Sequence, residues 1–203
     1  MRRPWRLAAP EIATAATILV ALLAGCATGE QPGTTVAPEP SVQVAQLCDS
    51  VRDFFTGDLG AVDVRTAPVL SPDATVTRWG ECALVNVGDG LRVGNYQLRH
   101  SPDDPDPTGN YKGYEKTVRD GRELWIWDWR RNPWFGSGQV LLAARVGQWN
   151  ATLEIVVPQT HTASGELMMT DDNLRKAIDF LFRYTDTLIS ELPGDPASPA
   201  PPR

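Results

Sequence analysis

Residues 139–157 read QVLLAARVGQWNATLEIVV, and their periodicity decides the fold class. Val140, Leu142, Ala144 and Val146 alternate with other residues, and after Gly147-Gln148 the alternation resumes as Trp149, Ala151, Leu153, Ile155 and Val157. A period of two is that of a β-strand. Gly147 at the first position of a two-residue loop suits a type II′ hairpin turn, which puts both apolar sets on one face. The other face carries Ala143, Arg145, Asn150, Thr152 and Glu154, with Leu141 and Val156 as apolar exceptions. One face toward a core and one mostly toward water is the pattern of an antiparallel sheet.

Two further hairpins precede this one. Residues 75–87 and 91–100 flank Asp89-Gly90, and residues 112–119 and 122–129 flank Asp120-Gly121, a strong two-residue turn signal. Helical spacing brackets the strands. Val44, Leu47, Cys48, Val51 and Phe55 make one apolar face, with Ser41 as the expected N-cap and Gly57 as the expected stop. A long helix is expected over 171–192, capped by Thr170, with Asp171 and Asp172 at its positive end. Leu174, Ile178, Leu181, Leu188, Ile189 and Leu192 form its packing stripe, and Pro193-Gly194 ends it. The order helix, three hairpins, helix predicts an α+β fold: an antiparallel sheet of hairpins, with an N-terminal helix and a long C-terminal helix packed on one face.

The ends of the 203-residue chain have a different composition. Residues 1–25 carry Arg2, Arg3 and Arg6 ahead of an apolar run over 12–24, too short for a span of about 20 residues, and read as an export signal. Residues 26–41 are rich in Pro, Gly and Thr and read as a flexible tether; residues 194–203 are a Pro-rich, disordered tail. The single globular domain is therefore expected over 42–193. The chain has 19 Lys and Arg against 25 Asp and Glu, a net of −6. Loss of residues 1–25, with three Arg and one Glu, would take it to −8. That balance argues against a nucleic-acid partner, which would call for a basic face. Sixteen Arg against three Lys, together with the Ala, Gly and Pro content, resembles a high-GC actinobacterial composition.

Leu23-Ala24-Gly25-Cys26 resembles the bacterial lipobox. The resemblance implies cleavage before Cys26 and a diacylglyceryl group on its thiol, with palmitate-type chains. Two acyl chains hold a protein stably on a bilayer. The expected location is then the extracytoplasmic face of the cell membrane. With Cys26 lipidated, two of the three cysteines remain, Cys48 and Cys82. In an oxidising compartment these are expected to form one disulfide; two buried free thiols are the alternative. The whole arrangement resembles a group of uncharacterised actinobacterial, mycobacterial-type envelope lipoproteins classed as a domain of unknown function. The residues that carry it are Leu47-Cys48-Asp49-Ser50-Val51 and Trp79-Gly80-Glu81-Cys82-Ala83-Leu84-Val85, with the lipobox before and the helix after. The resemblance extends in outline to extracellular sensor domains of mycobacterial-type serine/threonine kinases. It brings no catalytic residue with it.

Three features bear on function. In Leu124-Trp125-Ile126-Trp127-Asp128-Trp129, alternation puts Trp125, Trp127 and Trp129 on one face. A two-residue turn at Asp120-Gly121 would set Trp125 opposite Lys116, Trp127 opposite Tyr114 and Trp129 opposite Lys112. Indoles interleaved with lysines suit a hydrophobic, glycan or protein ligand; the competing reading is a buried core that the lysines snorkel past. Trp134 and Phe135 follow in a Gly-rich stretch that could close over either. Secondly, Asp104, Asp106, Thr108 and Glu115 fall at calcium-loop spacing, though Thr108 replaces a preferred Asp or Asn, two prolines stiffen the loop and strands flank it. A solvated acidic turn is the plainer reading. Thirdly, with two His and no nucleophile elbow or His-Glu-x-x-His motif, the usual hydrolase and metalloenzyme constellations are missing. The sequence therefore points to a non-catalytic, cofactor-free, lipid-anchored binding or sensing domain. A carboxylate-based hydrolase of envelope glycans and a structural or assembly partner of another envelope protein are the alternatives.

Overall fold

The computed structural model describes residues 41–130 and 138–192. The expected signal, Cys26, nearly all of the tether, the tail and the Trp134-Phe135 tip lie outside the described residues. The chain enters through β1 (Val42–Gln43) and α1 (Val44–Asp53), then β2 (Val64–Pro68), β3 (Thr75–Val76), β4 (Trp79–Asn86) and β5 (Arg92–His100). There follow β6 (Glu115–Arg119), β7 (Arg122–Asp128), β8 (Gln139–Val146), β9 (Trp149–Val156), the short pair β10 (His161–Thr162) and β11 (Gly165–Glu166), and α2 (Asp171–Glu191). Seven strands make one sheet in the order β2-β4-β5-β9-β8-β7-β6, with every neighbour antiparallel. The fold is α+β, as the periodicities predict.

Both helices sit on one face of this sheet. Val140, Leu142, Ala144, Ala151, Leu153 and Ile155 of the β8–β9 hairpin are buried there, and Val146, Trp149 and Val157 pack around them. The helices also touch each other. Phe54 stacks on Phe180 with ring centroids 4.2 Å apart, and the Tyr184 hydroxyl donates to the Leu47 carbonyl at 3.1 Å. Tyr96 reaches up from β5 beneath them and shares a 2.9 Å hydroxyl–hydroxyl hydrogen bond with Thr185, which satisfies a fully buried phenol. Gly94 is required at its position because a Cβ there would lie 2.2 Å from the Phe55 ring.

Helix α1 departs from expectation at both ends. Its N-cap is Gln43, whose backbone N–H donates to the Gln46 side chain at 2.9 Å, and Ser41 lies outside it. Gly57 does not stop it: the helix widens into a π-helical turn over Phe54–Asp58. The wider turn lets the consecutive Phe54 and Phe55 both enter the core. At the far end, α2 is capped as expected, with the Thr170 hydroxyl accepting from the Asn173 N–H at 3.1 Å. Strand β2 pairs with β4 along its length although its sequence carries no clear alternation.

Cys48 of α1 and Cys82 of β4 form a disulfide, with Cα atoms 5.2 Å apart and both residues buried. It ties the first helix to the sheet across 34 residues of sequence. Loop-closure entropy for such a link is worth about 4 kcal/mol. The double variant C48S/C82S should lose stability of that order in urea unfolding at unchanged fold; a loss below about 1 kcal/mol would show that helix packing alone holds α1 in place.

Candidate ligand-binding site

The chain leaves β5 at the centre of the sheet and must reach β6 at its edge. The helices occupy one face, so residues 101–114 cross the other. Two side chains on that back face hold the crossing. Arg145 donates to the carbonyls of Ser101 (2.8 Å) and Asp104 (3.2 Å), and the Asn150 amide donates to those of Asp104 (3.0 Å) and Asp106 (3.2 Å). The back face is therefore less wet than alternation predicts. Ala143 and Asn150 are buried although they point away from the helices.

The tryptophan row lies on this back face. Leu124 is fully buried on the core side and Ile126 packs against the same core. Trp125, Trp127 and Trp129 are half-buried and outside the core, so the reading of the row as core is wrong. Lys116 pairs with Trp125 in the β6–β7 ladder, as the turn register predicts, and its ammonium stands 4.9 Å from the indole centroid. It also forms an ion pair with Glu123.

Beyond Trp125 the predicted pairing fails. Strand β6 begins at Glu115, and its ladder with β7 ends at the Glu115–Ile126 pair. Gly113, with φ 129°, breaks the extended path and lies against the Trp127 indole. Tyr114 still meets Trp127, but as a ring contact at 5.9 Å rather than a ladder partner. Lys112 is exposed and has no ladder position opposite Trp129. In its place Trp127 gathers an aromatic cluster: Tyr111 at 5.7 Å and Trp129 at 4.8 Å, edge-on to it. Among the described residues the buried Trp127 Nε1–H has no hydrogen-bond partner.

Two hollows border this cluster. One of about 650 Å³ wraps round the edge of the sheet where β7 runs on past the start of β6, between Glu115, Thr117, Ile126, Trp127, Trp129 and Leu174. The other, about 500 Å³, lies between the crossing loop and the hairpin, lined by Pro105, Thr108, Tyr111, Tyr114, Lys116 and Trp125.

The calcium-spaced residues do other work. The Asp106 carboxylate accepts from the Thr108 hydroxyl (2.6 Å), the Thr108 N–H (2.9 Å) and the Asn110 N–H (3.0 Å), and these bonds hold its pKa below the usual range. Asp104 takes Arg99 at 3.1 Å. Glu115 sits at the edge hollow. Among the described residues no three His, Cys, Asp or Glu side chains converge as a metal site would require. The loop is a chain of side-chain-capped turns.

Sequence reasoning missed the residues that complete the site. Tyr111 and Gly113 carry no periodic signal, and the spacing of Leu174 marks it only as helix packing. Glu154 was visible as a polar back-face position, but not its surroundings. Its carboxylate accepts from Arg92 (3.3 Å) and Gln139 (3.1 Å). Burial raises its pKa, Arg92 pulls it back, and the Glu81 carboxylate adds to the rise. The Tyr114 phenol is pushed up to about 12, by burial first and then by the charge of Glu154.

Comparison with known proteins finds curated relatives among mycobacterial proteins. The chain is similar to LprF of Mycobacterium bovis and of Mycobacterium tuberculosis, candidate diacylated glycolipid transporters by name. Identity is 31% over 113 residues, covering 51% of this chain and 40% of those proteins. The chain thus spans about two fifths of the length of the curated relatives it matches. No family model matches the chain, and no solved structure matches it. Among the described residues no helix is long and apolar enough to cross a membrane.

Glu154 yields a pH prediction. A carboxyl with a raised pKa binds its proton more tightly in the folded state, so its contribution to stability grows as pH falls through that pKa. Wild type should gain stability relative to E154Q between pH 7 and pH 4, read from denaturant midpoints. A constant difference across that range would show that the Glu154 pKa is unshifted.

Proposed function

We propose that this chain is a lipid-anchored, extracytoplasmic binding protein that holds a glycolipid on the back face of its sheet, without catalysing a reaction on it. The observation that carries the reading is the half-exposed tryptophan row, set outside the core and beside a lysine. Rigid aromatic faces beside a cation bind sugar rings and the glycerol–acyl region of lipids. The named role of the LprF proteins supports that ligand class.

The proposed anchor suits this geometry. The domain is entered at Val42, which pairs with Val76 near the end of the sheet where β4 begins and β5 finishes. Trp127 lies near the finishing end of β7, whose last ladder residue, Asp128, shares a cross-strand row with Gly94 and Leu84 through Val140 and Ile155. The tether therefore joins toward one end of the sheet and the aromatic cluster lies toward the other. The proposed tether of residues 27–41, behaving as its Pro/Gly/Thr-rich composition predicts, would reach on the order of 20 Å, enough for the domain to turn its back face to the lipid.

Flotation with liposomes that carry glycosyl-diacylglycerols tests the reading on the soluble domain. Wild type should float with them, and W125A/W127A should lose at least about tenfold in affinity while keeping its melting temperature within a few degrees. In cells, C26A should release the protein from the membrane fraction. If W125A/W127A binds as wild type does, the aromatic row is not the ligand site; if it simply unfolds, the row is structural.

A further inference from the structure

We propose that the hollow at the edge of the sheet is the subsite for the ligand's sugar ring, and that Glu115 and Thr117 bind its hydroxyl groups. This rests on the glycolipid reading above and adds the place and the residues.

The hollow exists because two neighbouring strands end at different levels. Strand β7 pairs with β8 as far as Asp128, whereas β6 stops pairing with it at Ile126. Among the described residues no strand pairs with the outer edge of β7 over Trp127 and Asp128, and the space of about 650 Å³ opens there. Because the hollow passes round an edge, it is lined from both faces of the sheet. Trp127 and Trp129 come from the back face. Glu115 and Thr117 are paired with Ile126 and Leu124, so they stand on the helix face, where Leu174 of α2 closes the far wall.

That lining fits a pyranose ring better than an acyl chain. Trp127 and Trp129 meet at 85°, so they offer two faces of a corner to an apolar ring surface. Round the edge from them, on the helix face, stand a carboxylate that only accepts and a hydroxyl that donates and accepts, and Lys116 on the back face adds a donor. A sugar hydroxyl does both and can join each of them. An acyl chain would desolvate the Glu115 carboxylate and offer it no donor. The same wall carries an unsatisfied group. Among the described residues the buried Trp127 Nε1–H has no acceptor, and a Cβ placed on Gly113 would lie 3.5 Å from it. Gly113 also lines the hollow, and at φ 129° it occupies a conformation that favours glycine. A small shift of this residue would give the indole donor an acceptor on the ligand.

The test compares two sets of liposomes: one carrying glucosyl-, galactosyl- and mannosyl-diacylglycerols in turn, the other the same lipid with unglycosylated diacylglycerol. Glu115 and Thr117 are exposed, so E115A and T117V should fold as wild type does. T117V should weaken binding to at least one glycosylated set by roughly fivefold, the worth of one neutral hydrogen bond, and E115A by roughly tenfold or more, because its carboxylate is a charged acceptor; both should leave the unglycosylated set unchanged. The Trp127 indole N–H resonance should shift on binding the glycosylated lipid in nanodiscs and stay in place with the plain one. If wild type binds both sets equally, W125A/W127A abolishes both and E115A and T117V change neither, the sugar subsite is refuted while the tryptophan face stands. If wild type binds neither set, both readings fail.

Discussion

The stack of Phe54 on Phe180 is the contact on which the rest of the arrangement depends. It locks the end of α1 to the middle of α2 above the sheet, and both helices are thereby committed to the same face. Tyr96 and Thr185 fix the depth of that layer, and the Cys48–Cys82 bond fixes its lateral position over β4. Nearly all large apolar side chains then have one place to go. The core is built from one face of the sheet, and its other face owes nothing to helix packing.

The back face takes its character from that commitment. A connection from the central β5 to the edge strand β6 has to pass over it, and Arg145 and Asn150 satisfy the crossing carbonyls. The crossing delivers Tyr111, Gly113 and Tyr114 to the tryptophan row and ends one residue short of where the ladder would cover Trp127. The edge hollow, the aromatic corner and the unpaired indole N–H follow from that early end. Half-buried polar groups, with Glu154 held between Arg92 and Gln139, fill the centre of the same face.

Much of this could be read from the residues. The alternation of Val140 to Val157, the Asp120-Gly121 turn and the Thr170 cap are local signals, and each element stands where they put it. The register that sets Trp125 against Lys116 was legible for the same reason, since a two-residue turn fixes it. What failed was non-local. Whether the tryptophans are core or surface depends on which face the helices choose, and no residue in 124–129 records that. The break at Gly113 depends on the Trp127 ring across the hairpin. The π-helical turn answers to two adjacent phenylalanines competing for one core, and β2 is recruited by β4 rather than by its own alternation. The acidic loop matches a motif by spacing alone: the Asp106 carboxylate is spent on local turns, Asp104 pairs with Arg99, and Glu115 stands apart at the edge hollow.

The central claim is that the tryptophan row stands outside the core that the helices close. Hydroxyl-radical footprinting read by mass spectrometry tests it residue by residue on the folded domain. Tyr111 should be oxidised at a rate approaching that of the denatured chain and Trp125 at an intermediate rate, while Phe55, Tyr96 and Phe180 stay protected. Protection of Trp125 and Trp127 to the level of Tyr96 would contradict the account, because it would put the row inside the core.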